Sequence, residues 1–372
     1  MKKTVLREYA KLIAKTGVNV QKGQEVFIQA ELDQPEFVAM VVDECYKLKA
    51  KKVVVDWSYQ PLTKLHVRYR SLKTLSTLDN YEEARWQHYV DTIPCRIYLI
   101  SEDPDGLRGV NQEKMAKSQQ AKYPIIKGYR DQIENKYQWC IAAVPGEKWA
   151  KKLFPELRAS QAVEKLWEAI LKTSRVTDDP IQAWEEHNKD LHDRCEYLNS
   201  LHIRELRYKS SNGTDFTVGM IPEAQFCGGG ETSLQGIFFN PNIPTEECFI
   251  SPMRGVAEGI VYATKPLSYQ GQLIDGFWIR FHEGKAVNGT RSRTTSCSPS
   301  SSRWTRAAGI SANARWCRLT RPSTRRASCS TTPSLTRTPA AISRSAWALP
   351  TRSATSRTSR WRTAASSAST TP

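Results

Sequence analysis

The sequence predicts an α/β amino-terminal domain with a partly parallel sheet, followed by a mostly β (α+β) carboxyl-terminal domain that is truncated. Residues 25–30 and 52–57 are apolar runs typical of strands, and residues 34–49 between them place apolar side chains on one helical face. A strand, a helix and a strand within about 30 residues indicate a parallel pair joined by a crossover helix. Beyond residue 190 the apolar period changes to two, which favours antiparallel strands.

The other amino-terminal segments fit an α/β domain. Residues 1–18 form an amphipathic pattern broken by charged residues, which predicts a helix rather than a signal peptide. Residues 96–100 and 138–144 are further strand candidates. No glycine-rich phosphate loop follows these strands, which argues against a nucleotide site. The inward positions of the first helix are Val5, Leu6, Leu12 and Ile13.

Two helices are predicted before the second domain. Ser160 can cap the first, and Asp179 followed by Pro180 is typical of the start of the second. His187 and His192 lie five residues apart on the second helix, which is the wrong spacing for one face. We therefore expect them to be solvated or locally bonded.

The second domain shows hairpin chemistry. Apolar residues alternate on both sides of Asn212-Gly213, a strong turn signal, and a glycine triplet follows at residues 228–230. A further strand candidate covers residues 276–281. These signals divide the chain into an α/β domain at 1–188, the start of a second domain at 189–289, and a tail at 290–372.

The tail has an unusual composition. Residues 290–372 contain no Asp, Glu, Lys, His, Gln, Val, Phe, Tyr or Met. The chain has 54 Lys and Arg against 38 Asp and Glu, and the tail supplies 15 of the Arg and none of the acids. The net charge of +16 is thus a property of the tail. We expect residues 291–372 to be disordered, because Ser, Thr, Arg, Ala and Pro bury too little apolar surface to offset ordering entropy.

A reading-frame shift after about residue 289 explains this composition. In the shifted frame, each codon consists of the last base of one residue's codon and the first two bases of the next. Translated in this frame, the tail regains acidic residues, aromatic residues and a His. Three shifted codons are fixed by the genetic code: Asp from Trp304-Thr305, Val from Trp316-Cys317 and Gly from Trp347-Ala348. Two other interpretations of the chain remain. It can be the real product of a broken gene, folded but inert, or a nucleic-acid binder that uses the Arg-rich tail.

The cysteines and the hydropathy indicate a cytoplasmic protein. No stretch approaches 18 apolar residues, so no membrane-spanning helix is predicted. The cysteines have no paired metal spacing, and scattered thiols are typical of a reducing compartment. Those of the body are Cys45, Cys95, Cys140, Cys195, Cys227 and Cys248.

Residues 240–249 are the strongest candidate for chemistry. Pro241 and Pro244 favour an extended chain, in which the adjacent carboxylates Glu246 and Glu247 point to opposite faces. One carboxylate can then enter a pocket while the other stays in water. A carboxylate in a pocket needs a cation, since an unpaired buried charge is costly. Two solvated loop acids are the simpler alternative.

Several segments together resemble the thermophilic metallo-aminopeptidases, the family of aminopeptidases T and S. They occur in order with close spacing, and the resemblance covers essentially all of residues 1–289. It implies a cytoplasmic, homodimeric exopeptidase that acts on peptides, not on nucleic acid or at a membrane. The matching segments are residues 146–155, 175–188, 212–219, 228–230, 240–249 and 264–267.

The resemblance also implies two divalent metal ions (Zn, Co or Mg) that polarise the scissile carbonyl and generate a hydroxide. The first metal-binding Glu of the family pattern falls on Glu247. A second Glu and a His are replaced by Asn313 and Ile342, and a final His and Asp lie beyond residue 372. One carboxylate cannot hold two metals, so we expect the chain as written to be inactive.

Overall fold

The computed structural model describes residues 1–265, 267–269, 272–290 and 314–317. The chain begins with α1 (Lys3–Leu12), which continues as a π-helical turn over Ile13–Gly17. Leu12 and Ile13 are fully buried, while Val5 and Leu6 pack at the edge of the same core. The predicted amphipathic helix is therefore confirmed.

Helices and strands alternate through the amino-terminal half. The strands are β1 (Glu25–Glu31), β2 (Lys52–Ser58), β3 (Cys95–Ile100) and β4 (Trp139–Ala143). The helices are α2 (Pro35–Lys47), α3 (Gln60–Tyr69), α4 (Leu72–Ser76), α5 (Asn80–Thr92), α6 (Gln112–Ile133), α7 (Glu147–Leu153), α8 (Ala159–Thr173) and α9 (Pro180–Ser200).

The first sheet is parallel, as the βαβ pattern predicts. Its order is β10-β4-β3-β1-β2, where β10 (Asn242–Ile243) comes from the second half of the chain. Val26 of β1 lies opposite Val53 of β2 and Cys95 of β3. β10 extends the sheet beside β4, and this long-range pairing has no signal in the local sequence.

Apolar side chains from helices and sheet form the first core. The ring of Tyr9 stacks on Phe37 at 5.4 Å, and Trp167 of α8 packs edge-on against Phe37 at 5.2 Å. All three side chains are buried. Burying an aromatic or large aliphatic side chain contributes about 1.5–3 kcal/mol, so the burial of these three rings stabilises this half of the chain.

One of the two predicted helix caps is correct. Asp179 caps α9, because its Oδ1 accepts hydrogen bonds from the amides of Ile181 and Gln182 at 3.1 Å. Ser160 does not cap α8, which begins one residue earlier, at Ala159. There the side chain of Gln161 reaches back to the amide of Arg158 at 3.3 Å, and this contact satisfies a free amide at the helix start.

The carboxyl-terminal half consists mainly of antiparallel strands. A sheet in the order β16-β15-β12-β6-β5 includes the predicted hairpin, in which Lys209 pairs with Asp215 around a loop that contains Gly213. Gly213 adopts φ +93°, a conformation that favours glycine. These strands are β5 (Glu205–Lys209), β6 (Asp215–Met220), β12 (Pro252–Tyr262), β15 (Trp278–His282) and β16 (Lys285–Thr290).

Shorter strands complete this half. The sheet in the order β17-β11-β7 contains β11 (Glu247–Ile250), with β7 (Cys227–Gly228) on one side and β17 (Ala314–Cys317) on the other. The remaining short strands are β8 (Glu231–Thr232), β9 (Phe238–Phe239), β13 (Leu267–Tyr269) and β14 (Gln272–Ile274). β17 belongs to the segment predicted to be disordered, and its four residues are paired; the rest of that segment lies outside the described residues.

The helix α9 connects the two halves. Trp184 from its first half is buried in the first core, whereas Leu191 and Cys195 from its second half belong to the second core. The predicted boundary at 188/189 falls inside this continuous helix, and the division at that point stays a prediction. Of the helices in the described residues, none has the length and apolar content that a membrane span requires.

Candidate functional site

The segment that carries the two candidate carboxylates crosses from the first sheet to the second. Asn240 is buried, and its amide donates to the carbonyl of Gly17 at 2.8 Å. Ile243 is buried in the first core, and the Ile243–Pro244 peptide bond is cis. The chain then enters β11 at Glu247. Both glutamates therefore lie where the two halves of the molecule meet.

Glu246 faces the helical side of this junction. Its Oε1 lies 2.5 Å from a guanidinium nitrogen of Arg175 and 3.9 Å from Nε2 of His187. The ion pair is 28% exposed on both sides, so water screens it only in part. This carboxylate already has a cation as its partner.

His187 supports the same junction, a role that its sequence spacing did not predict. The side chain is buried, and Nε2 donates to the carbonyl of Thr245 at 2.7 Å. Burial lowers the pKa of His187, and the nearby Arg175 lowers it further. The expectation that both histidines are solvated or locally bonded is wrong for His187, whose partner is 58 residues away, whereas His192 is exposed and pairs with Glu196.

Glu247 begins β11 and is half-buried. Its amide lies 3.4 Å from Oγ1 of Thr245, and its backbone lies opposite Cys317 of β17. Adjacent side chains of an extended chain point to opposite faces, so Glu247 is expected to point away from the Arg175–Glu246 pair. The assignment of Glu247 as the metal-facing residue stays a prediction.

The glycine triplet allows close backbone approach next to Glu247. A Cβ added to Gly228 would lie 2.6 Å from the carbonyl oxygen of Glu247, and one added to Gly230 would overlap the ring of Phe238. Gly229 adopts φ +74°. Packing therefore explains why glycine occupies these positions. A side chain at residue 228 would push β7 away from β11, and one at residue 230 would displace the Phe238 ring.

Two buried thiols, Cys195 of α9 and Cys248 of β11, lie where this helix and this strand pack together. Sγ of Cys248 lies 3.8 Å from the carbonyl of Leu191 on α9. The hydrogen bond with Cys248, together with burial, raises the pKa of the Cys195 thiol. A protonated, buried thiol is a poor nucleophile, so Cys195 has a packing role. The six cysteines of the body are free thiols.

The residues described do not form a two-metal centre. Within the described ranges, no three His, Cys, Asp or Glu side chains converge to hold a metal ion. Hard divalent cations require several oxygen or nitrogen ligands, and Glu247 supplies one carboxylate. Asn313 and Ile342, which are predicted to stand at the places of two family ligands, lie outside the described residues. The described residues alone therefore do not supply the ligands that metal-assisted peptide hydrolysis requires.

The arrangement of a parallel α/β half joined to antiparallel sheets is similar to a solved structure, wild-type AmpT from Thermus thermophilus. The TM-score is 0.70 at 31% sequence identity, and the match covers 78% of this chain and 72% of AmpT. Residues 2–296 match the family described as thermophilic metalloprotease (M29).

Sequence relatives agree with this match. The chain is 34% identical over 285 residues to aminopeptidase AmpS of Bacillus subtilis, and 33% identical over 287 residues to aminopeptidase T of Thermus thermophilus. Each alignment covers 76% of this chain and 69% of the relative. The chain belongs to the thermophilic metalloprotease (M29) family, which confirms the resemblance seen in the sequence.

Proposed function

We propose that residues 1–289 are the body of a metal-dependent aminopeptidase that removes N-terminal residues from peptides, and that the chain as written lacks most of its metal ligands. The names of the relatives support the activity. The observation that carries the proposal is the match to the family over residues 2–296, which includes Glu247 and stops before the places of the other ligands.

The two adjacent glutamates support different roles within this proposal. Arg175 and His187 contact Glu246, so the carboxylate of this residue is neutralised by a partner within the protein. Glu247 occupies the position of the first metal-binding Glu in the family pattern. We therefore assign metal binding to Glu247 and a structural ion pair to Glu246.

The cytoplasmic location, the homodimer and the identity of the metals as Zn, Co or Mg are further parts of the proposal. They rest on the family resemblance. Two divalent ions per chain would require the carboxylates and the His that the shifted reading frame restores. The metal content of a frame-corrected protein therefore tests this part without measuring activity.

The first experiment is to resequence the DNA around codons 286–292, followed by metal analysis of both proteins. We expect an inserted or deleted base there, and two bound divalent ions per chain in the corrected protein. The chain as written should retain no stoichiometric metal after dialysis. Two tightly bound ions in the uncorrected chain would contradict the proposal.

Two other interpretations have separate tests. If resequencing returns the same frame, the chain is the folded product of a broken gene and is not catalytic. The nucleic-acid hypothesis uses the 15 arginines of the tail and predicts DNA binding that weakens steeply with salt. We expect no such binding at physiological ionic strength.

A further inference from the structure

A cavity in the amino-terminal half opens to solvent and is lined by cations, of which Arg68 and Arg108 are exposed. It has a volume of about 480 Å³ and lies between α3 and the segment that leads into α6. Its charged lining residues are Lys64, Arg68, Arg108 and Lys114. No Asp or Glu is among the residues that line it within the described part of the chain.

Within the described part of the chain, no salt bridge joins an acid to any of the four cations of this cavity. Glu113, the acid nearest along the chain, pairs with Lys117, and Asp105 pairs with Lys152. Nζ of Lys114 donates to the carbonyl of Val67 at 2.7 Å, which holds its charge at the cavity wall. The four positive charges around the cavity repel each other. An anion bound among them would offset this repulsion, because each cation attracts it.

The backbone adds positive potential. The helix α6 runs for 22 residues, and its first turn, capped by Asn111, borders the cavity. The amide of Lys114 donates to Oδ1 of Asn111 at 2.9 Å, so the helix contributes the partial positive charge of its amino terminus, which favours anions. The volume falls within the range of about 300–1,000 Å³ that is typical of small-molecule sites.

We propose that this cavity binds a small molecule that bears phosphate groups and carries two or more negative charges. Two guanidinium groups and two ammonium groups offer many donors, and arginine forks match the oxygen geometry of phosphate. The site lies on α3, α6 and the segment before α6 in the parallel-sheet half, whereas Glu247 lies on β11, so this proposal does not depend on peptidase activity.

The test is isothermal titration calorimetry of the full chain with inorganic pyrophosphate at about 0.15 M salt, where long-range attraction between exposed charges is screened. The cavity variants are Arg68→Gln and Arg108→Gln, and the control variants are Arg70→Gln and Lys73→Gln, which remove exposed cations outside the cavity. The tail arginines are present in every protein, so differences between variants report on the cavity. Circular dichroism checks that each variant is folded.

We expect saturable binding that weakens about tenfold when either cavity arginine is replaced, since a charge-assisted hydrogen bond is lost. The control variants should bind as the unmodified chain does. Absence of saturable binding, or an equal loss in cavity and control variants, would overturn the proposal. Citrate, a carboxylate anion of similar charge, should bind more weakly; equal binding would contradict the assignment to phosphate.

Discussion

Arg175 and Glu246 form an ion pair with 2.5 Å between the guanidinium nitrogen and Oε1. It ties the loop after α8 to the residue that precedes β11. His187 adds a hydrogen bond to Thr245 in the same junction. These contacts fix the path of the chain just before Glu247, and they assign different environments to two glutamates that are adjacent in the sequence.

Replacing Arg175 with Gln should destabilise the protein by about 1–2 kcal/mol, because Glu246 loses its charged partner in a half-buried place. Replacing Glu246 with Gln as well should cost less than the sum of the two single changes. Chemical denaturation of the four proteins of this double-mutant cycle measures the coupling. Additive effects would show that the ion pair does not stabilise the junction.

A Gly228→Ala substitution should destabilise the protein by about 1–3 kcal/mol, because its Cβ would lie 2.6 Å from the backbone carbonyl of Glu247. The control is Gly128→Ala in α6, where nothing lies within 4 Å of the added Cβ apart from the adjacent residues and the backbone of the helix itself. The control should be neutral or stabilising by about 0.5–1 kcal/mol, since alanine favours helix. Equal melting temperatures of the two variants would contradict the close approach of β7 and β11.

The local order of the fold could be predicted from sequence, whereas the long-range pairings could not. The βαβ unit could be predicted because its strands and helix have clear apolar patterns. Asp179 could be predicted as a helix cap because it bonds to amides only two and three residues along the chain. The pairing of β10 with β4 and the contact of His187 with Thr245 join residues far apart in sequence. At the candidate site, adjacent side chains of an extended chain point to opposite faces, so the sequence alone predicts different environments for Glu246 and Glu247. No local pattern in the sequence indicates Arg175 as the partner of Glu246.

The stability of the protein should depend on Glu31 above about pH 5. Burial, with the charges of Glu102 and Asp33, raises the pKa of Glu31 to about 7. The folded state therefore holds this proton more tightly than the unfolded state, and the resulting stability is lost as the pH rises from about 4.5 to 7. A Glu31→Gln variant should melt higher than the unmodified chain at about pH 8, with a smaller or no gain at about pH 5. A gain of the same size at both pH values would argue against this titration.

In a frame-corrected protein, Glu247→Gln should abolish metal-dependent peptidase activity, because it removes a proposed metal ligand. Glu246→Gln is the matched control: it neutralises the neighbouring carboxylate and should leave the activity largely intact, with reduced stability from the lost Arg175 pair. Activity and bound metal are measured on the same preparations. Loss of metal with Glu246→Gln and its retention with Glu247→Gln would reverse the assignment.

The most direct test is the release of N-terminal residues from short peptides and aminoacyl-arylamides by the frame-corrected chain and by the chain as written. The corrected chain should be active, lose its activity to a chelator and regain it with Zn, Co or Mg. The 372-residue chain as written should be inactive in the same assay, since the proposed function places Asn313 and Ile342 where two metal ligands are required. Substantial activity of the uncorrected chain, or inactivity of the corrected chain with every one of these metals, would contradict the proposed function.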